Sequence, residues 1–451
     1  MDVPGPRNKT ICREGSGHDG DKISSLPNNL IEHILSFLPL REAAKTCVLS
    51  TSWRRTWVNR PSLVFDDQFW KPYPVEVAAN KNVGSNGVYS ITIEKLMLNV
   101  FTVLCHHRGP LKEFSLSIPQ LSTFPAYVDQ ILLSLYDKFI ESLFIWINEY
   151  KVPRCLFSFR QLKKLRLYAC AFTSSQISFE EFRMLTSLDL RWIKFPNAER
   201  VSFIIRCPLL LTFTLIACDT ANGTYLDILS EAPSLSYFHC VGNFSSVCVK
   251  YARHLKDVIV HQTARLVDPS KSKDEPTNFM KLCGGCPALE QLCIALELFR
   301  DLATQNLITQ PGQIFMLMML RELRLGDVCL SCPRDVWCSM LLIILAPNLR
   351  NLIITTKAMA TQYIDLNLIS AIQRVCGLNK HKASKLLKVE INQLQGVRTE
   401  MCCIQWLLAA SPELHKMEIK FSPNSLPADQ IQTLRDLNGF QRASSKAQII
   451  I

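Results

Sequence analysis

The sequence predicts an α/β chain in three parts. A small three-helix domain comes first. A long solenoid of repeats follows, with a parallel β-sheet on its concave face and helices on its convex face, and a capping unit closes it. Three observations carry this expectation. Helix-spaced apolar residues crowd into positions 21–65. The string L-x-x-L-x-L, with substitutions of similar size, then returns repeatedly between Leu111 and Ile419. At 451 residues, with 48% apolar and 20% charged residues, the chain is globular in composition yet too long for one ordinary core.

Residues 1–20 lack hydrophobic periodicity and are expected to be a disordered tail. They hold a formal G-x-G-x-x-G at Gly15, Gly17 and Gly20, but no strand precedes it and no helix opens at it, so a dinucleotide site is not expected. From Asp21 the pattern changes. Pro27 suits the first position of a helix, and Leu30, Ile31, Ile34, Leu35 and Leu38 fall on one helical face. Pro39 stops that helix. Leu40, Ala43, Ala44, Cys47 and Val48 form a second stripe, and Ser50 can cap a third helix bearing Trp53 and Trp57 one turn apart. Three short helices cannot bury so much apolar surface among themselves, so part of it should meet a partner.

The run ISSLPNNLIEHILSFLPLREAAKTCVLSTSWRRTW resembles an F-box of the plant type. The pattern I-S-x-L-P, I-L-S-x-L-P, T, L-S and W-R-x-x-W is matched at nearly every position. The resemblance implies docking on the Skp adaptor of a cullin–RING ubiquitin ligase, with Leu26, Pro27, Leu30, Ile31, Ile34, Leu35, Leu38 and Trp53 as the adaptor-binding residues. The F-box is placed at 21–65 and a polar connector at 66–90.

The repeat strings begin at Leu111, Ile140, Leu162, Leu185, Leu210, Leu235, Leu255, Leu289, Leu320, Leu349, Leu386 and Leu414, at intervals of 20 to 37 residues that bracket a leucine-rich-repeat period. Asn148, Cys170, Cys218 and Asn243 fall where that repeat wants Asn or Cys after its strand. Pro208, Pro233, Pro287, Pro347 and Pro412 each precede a string by two residues and mark the corner before a strand. The longer intervals suggest inserted loops at Ala264–Asn278, Thr304–Gln313 and Lys357–Asp365. A helix is expected between Ile91 and His107. The solenoid is placed at 91–375. The closing segment, with LLKVEINQLQGVRTEMCCIQWLLAASPELHKMEI and QRASSKAQIII, is similar to the FBD domain that ends many plant F-box/leucine-rich-repeat proteins. It is placed at 376–451 as a cap of two strand–helix units, the second with a helix at Asp429–Leu437.

No catalytic motif is present: no G-x-S-x-G, P-loop, H-E-x-x-H or DFG-type sequence. Two C-x-x-C pairs, Cys283/Cys286 and Cys329/Cys332, could supply four thiolates, but their separation exceeds the usual zinc spacing, and no metal or other cofactor is expected. Cys105, His106 and His107 are adjacent and therefore diverge on a helix; a solvated helix end is the simpler account. The net charge of +11 is moderate and not clustered, so nucleic acid is not an expected partner. The polar N-terminus is unlike a signal peptide, and the longest uncharged apolar runs, Ile314–Leu320 and Met340–Ala346, are far below the roughly twenty residues of a membrane span. The 18 cysteines sit mostly in apolar runs. A cytoplasmic or nuclear protein with reduced cysteines and unused sequons at Asn8, Asn222 and Asn243 is therefore expected.

Function follows from the resemblance. It implies a non-catalytic substrate-recognition subunit of a Skp–cullin–F-box ligase, bound through the adaptor to a cullin and through its repeats to a target protein. The alternatives are a repeat protein acting as a binding module outside any ligase, and a hydrolase with an unrecognised site. Within L-x-x-L-x-L the leucines face the core and alternate residues face outward. Trp146, Tyr168 and Arg191 share one offset and should form a row, with Phe144, Arg166 and Asp189 beside it and Tyr237 and His239 added further along. Lys164, Arg166 and Tyr168 then share a face. Aromatic and Arg side chains dominate binding hot spots, so these eight residues are the expected target site.

Overall fold

The protein is described by a computed structural model over residues 22–70, 97–118, 125–218, 220, 225–244, 246–262, 286–295, 317–330, 332–357, 383–423, 425 and 427–451. The tail at 1–20, the connector beyond residue 70, Cys283, the loops at 264–278 and 304–313 and most of the loop at 357–365 lie outside the described residues. Two compact units are found, Met1–Leu111 and Lys112–Ile451.

In the first unit, Pro27 stands just before α1 (Asn28–Phe37), one place earlier than the sequence suggests, and its carbonyl accepts the first helical bonds from Leu30 and Ile31. Pro39 does the same for α2 (Leu40–Lys45). A 3₁₀ turn, Thr46–Val48, interrupts the second stripe, so Val48 ends up 85% exposed. Ser50 caps α3 (Thr51–Val58) by accepting the Trp53 amide at 3.4 Å. The helices close on Ile31, Leu35, Ala43 and Trp53, with Leu26, Leu38 and Trp57 packed around them. The Trp53 indole donates to the Ile23 carbonyl at 3.0 Å, so the largest core side chain also satisfies its one polar atom. A short strand β1 (Ser62–Phe65), a one-turn helix Asp67–Trp70 and a helix at 97–106 complete the described part of the unit. The final His107 is buried, not solvated. Its Nε2 lies 2.7 Å from the Arg60 carbonyl, while His106 turns back to the Thr102 carbonyl, so the two rings share no chemistry.

In the second unit every L-x-x-L-x-L string forms a strand of one parallel sheet. In spatial order these are β2 (Glu113–Ile118), β3 (Ser142–Ile147), β4 (Lys164–Tyr168), β6 (Ser187–Arg191), β8 (Thr212–Cys218), β10 (Tyr237–Gly242), β12 (Asp257–Gln262), β13 (Gln291–Ala295), β14 (Glu322–Val328), β15 (Asn351–Thr356), β16 (Lys388–Leu394) and β17 (Lys416–Phe421). A further strand, β18 (Gln448–Ile450), extends the sheet past β17, so the C-terminal segment continues the ladder. The string leucines are buried, because alternation turns them to the interior while the intervening residues stay half-exposed.

The corner prolines have a specific role. Leu210, Leu235, Leu289, Leu349 and Leu414 each donate their amide to the carbonyl three residues back, at 3.1–3.3 Å. This puts the proline at the second position of a β-turn, where its fixed φ is pre-set. The far ends of the strands also share a device. Glu149, Ala169, Trp192, Ala217, Asp327 and Gln393 take positive φ values between 51° and 62°. Each is followed by a buried residue: Tyr150, Cys170, Ile193, Cys218, Val328 and Leu394. Cys170 and Cys218 thus fill the expected turn positions. Asn148 does not. Trp146 pairs with Tyr168 but the isolated bridge joins Lys151 to Ala171, which puts two extra residues in that repeat, so Tyr150 takes the position that Cys170 holds in the next one and Asn148 is exposed.

The second layer changes along the unit. Helix Pro125–Leu135 lies between β2 and β3, and helix Pro333–Leu345 between β14 and β15. Between them β5 (Gln176–Ser178), β7 (Arg200–Ile205), β9 (Tyr225–Ser230) and β11 (Ser246–Val249) form a second parallel sheet. Phe179, Phe182, Phe203, Phe213 and Phe238 are buried in this region, and several stack within about 5–6 Å of one another. The C-terminal segment contributes helices Arg398–Ala410 and Pro427–Gly439, the latter two residues longer at each end than the sequence suggests. Among the described residues, no helix is long and apolar enough to cross a membrane and no His/Cys/Asp/Glu group could hold a metal ion.

Candidate functional site: a helical ridge and an aromatic sheet face

The stripe on α1 divides in two. Ile31 and Leu35, at 0% and 1% exposure, are interior with Trp53, while Leu30 and Ile34 are 45% and 38% exposed. Leu26 and Leu38 are half-buried against the core, and Pro27 is exposed. The reading that treats the whole stripe as one contact surface is therefore corrected. Helix geometry places i and i+4 together, and here Ile31/Leu35 point inward while Leu30/Ile34 point outward. The exposed set is larger than the sequence reading allowed, since Phe37, Val48, Leu49 and Ile23 are also exposed. Val48 and Leu49 were missed because the 3₁₀ turn breaks the helical phase.

On the open face of the large sheet the register aligns Trp146, Tyr168 and Arg191, and beside them Phe144, Arg166 and Asp189, as the sequence predicts. The second row continues through Thr214 to His239. Tyr237 lies one row earlier, level with Ser142, Lys164, Ser187 and Thr212, and contacts His239 through its hydroxyl at 3.2 Å.

These side chains are interlocked. The Tyr168 hydroxyl donates to Asp189 at 2.8 Å, and Arg191 donates twice to the same carboxylate, at 2.9 and 3.1 Å. Asp189 is thereby engaged within the cluster and holds the Tyr168 and Arg191 side chains in place. Burial, and then the hydrogen bond to Asp189, push the Tyr168 phenol up to about 12. The Arg191 guanidinium lies over the Tyr168 ring, 5.2 Å from its centroid, and Arg166 over Phe144 at 4.8 Å. Burial, and then the Arg191 charge, lower the His239 pKa.

One member was missed. Trp192 follows Arg191 at an offset that strict alternation assigns to the core. Its φ of 53° breaks the alternation and leaves the indole 49% exposed. Its ring lies 6.2 Å from that of Trp146 and 5.8 Å from that of Tyr168. The aromatic after the strand end was the only signal available, and the left-handed turn that redirects it is not encoded in the spacing. Further along the face, chemistry changes to charge. Lys388 bridges Glu390 and Glu418, Lys416 pairs with Glu418, and Lys420 with Glu390. Exposed pairs of this kind are largely self-neutralising and add little stability.

Comparison with known proteins supports the division. Residues 23–65 match the family described as F-box domain, and residues 128–278 match that described as FBD-associated F-box protein At5g56370, LRR repeats. The chain is 28% identical over 439 residues to F-box/FBD/LRR-repeat protein At1g13570 of Arabidopsis thaliana, covering 96% of this chain and 99% of that one. It is 62% identical over 47 residues to F-box/LRR-repeat protein At3g59250 of the same plant, covering 10% and 11% of the two chains. A solved structure, Leptospira interrogans LRR protein LIC12759, aligns over 78% of this chain and 86% of that one at 15% identity and a TM-score of 0.31. The helical domain is an F-box, the sheet unit carries leucine-rich repeats of the FBD-associated type, and the chain as a whole resembles the plant F-box/leucine-rich-repeat proteins that end in an FBD domain.

Proposed function

We infer that this chain is the substrate-recognition subunit of a Skp–cullin–F-box ubiquitin ligase. The observation that carries the reading is the exposed ridge of Leu30, Ile34 and Phe37 on a domain that matches the F-box family. Three short helices leave this apolar surface in water, and an adaptor would cover it. The aromatic sheet face is where the target would bind. No nucleophile is required of this chain, because bringing a target lysine close to the transferring subunits raises its effective concentration. We place the activity in the cytosol or nucleus. The free cysteines among the described residues suit a reducing compartment. Co-expression of the full chain with a plant Skp adaptor and a cullin tests the assignment. A stable ternary complex is expected. A chain that purifies without adaptor, while still folded, refutes it and leaves a repeat module acting outside any ligase.

A further inference from the structure

The open face carries a feature that the aromatic cluster does not explain. In the row through Thr212 and Tyr237, the next two strands present Asp257 and Gln291, followed by Glu322. Asp257 is half-buried, and among the described residues its carboxylate has no hydrogen-bond or ion-pair partner. Its acidic neighbours differ in this respect: Glu290 lies 3.7 Å from Lys256, and Glu322 2.5 Å from Arg324. Burial raises the Asp257 pKa, and Glu290 and Glu322 push it the same way against Lys256. A carboxylate held partly out of water, beside others and with no cation in direct contact, is a centre of negative potential.

We propose that the open face receives an extended segment of the target protein, with an apolar or aromatic side chain against Trp146, Tyr168 and Trp192 and a Lys or Arg against Asp257. This rests on the reading of the sheet face as the target site. Charge complementarity decides the polarity, since an acidic residue would meet the Asp257 carboxylate, which has no ion-pair partner among the described residues. The sheet decides the spacing. Asp257 on β12 is three strands from β6, which leads into Trp192, and four from β4, which carries Tyr168. At about 4.8 Å per strand the two anchors lie roughly 14–19 Å apart, which an extended segment spans in about four to six residues. Tyr237 and His239 lie between the anchors and offer hydrogen-bonding groups to the crossing backbone.

Selection of a random dodecapeptide phage library on the full-length chain tests this. Enriched peptides should pair a Trp, Phe or Leu with a Lys or Arg about four to six residues away. A synthetic peptide of that kind should bind roughly tenfold more weakly to the Trp146→Ala/Trp192→Ala protein and to Asp257→Lys. Replacing its basic residue by Glu should restore binding to Asp257→Lys alone. Asp257→Asn, nearly the same size, gives a smaller loss and serves if the Lys variant does not fold. Failure to enrich any peptide, enrichment without the spaced pair, or binding indifferent to the loss of the Asp257 charge overturns the proposal. Adaptor co-purification with the same proteins reports separately. Adaptor binding without the spaced pair sinks this inference alone, and spaced-pair binding without adaptor sinks the ligase assignment alone.

Discussion

Charge placed on the outer side of α1 should separate adaptor binding from folding. Leu30→Asp combined with Ile34→Asp alters side chains that are already 45% and 38% exposed. Such surface changes should shift stability by about 1 kcal/mol or less. In a complex that covers the ridge, the same two carboxylates would be desolvated without a partner. A penalty of about 2 kcal/mol each weakens the adaptor complex roughly a thousandfold, which removes it from a pulldown. Leu35→Ala is the contrast. Leu35 is 1% exposed within the cluster of Ile31, Ala43 and Trp53. Its truncation should cost about 2–5 kcal/mol, comparable to all the stability a domain this small can hold. That variant should lose the adaptor because the helices unfold. Hydrogen exchange on the helices, read beside adaptor pulldown, distinguishes the two. The double-Asp protein should keep wild-type protection and lose the adaptor, and Leu35→Ala should lose both. Adaptor retained by the double-Asp protein would refute the assignment of this ridge as the interface.

Three further outcomes follow from the geometry. Asp189→Asn should lower the pH at which the Tyr168 phenol ionises, measured by phenolate absorbance after a pH jump with Tyr168→Phe as the blank. Because the folded value is raised to about 12, the stabilisation from this group is present below pH 10 and is lost as pH rises through about 12. An unchanged titration would remove Asp189 as the group that holds Tyr168. Gly109→Ala should lower the thermal midpoint, since an added Cβ would sit 2.7 Å from both Cα and carbonyl O of Asn59 and such overpacking costs about 1–3 kcal/mol; an unchanged midpoint would mean the backbone yields. Glu400→Ala should destabilise the C-terminal repeats by about 2–3 kcal/mol in urea unfolding, because its buried carboxylate accepts the Gln395, Gly396 and Val397 amides. Burial raises the Glu400 pKa, although those three bonds oppose the shift. The part of its contribution linked to protonation is therefore fully present below the ordinary carboxylate range and is lost as pH rises through the folded value, while the three amide bonds remain. Glu400→Gln should accordingly gain on the wild type as pH rises, and no such gain would refute the shift.

Periodicity and local punctuation account for most of the architecture. A parallel strand that must bury every second residue writes its period into the chain, so each L-x-x-L-x-L string marked a strand and its first leucine marked the core. The same alternation is enough to line up Trp146, Tyr168 and Arg191. The F-box was legible because its punctuation is local: Pro27 and Pro39 through their backbone and Ser50 through its hydroxyl begin the three helices. Tertiary structure decided what periodicity cannot carry. Which half of the α1 stripe faces inward depends on where α3 brings Trp53, a contact between residues far apart in sequence. A left-handed turn at one residue moved Trp192 from the expected core to the open face, and two extra residues moved the turn position from Asn148 to Tyr150. Asp189 supports the aromatic face because Tyr168 and Arg191 both donate to it. The charge of Asp257 is distinguished from its neighbours' by ion pairs that spacing does not encode, Glu290 with Lys256 and Glu322 with Arg324. Spacing fixes the face on which a side chain starts; hydrogen bonds and ion pairs across strands fix whether it remains available to a partner.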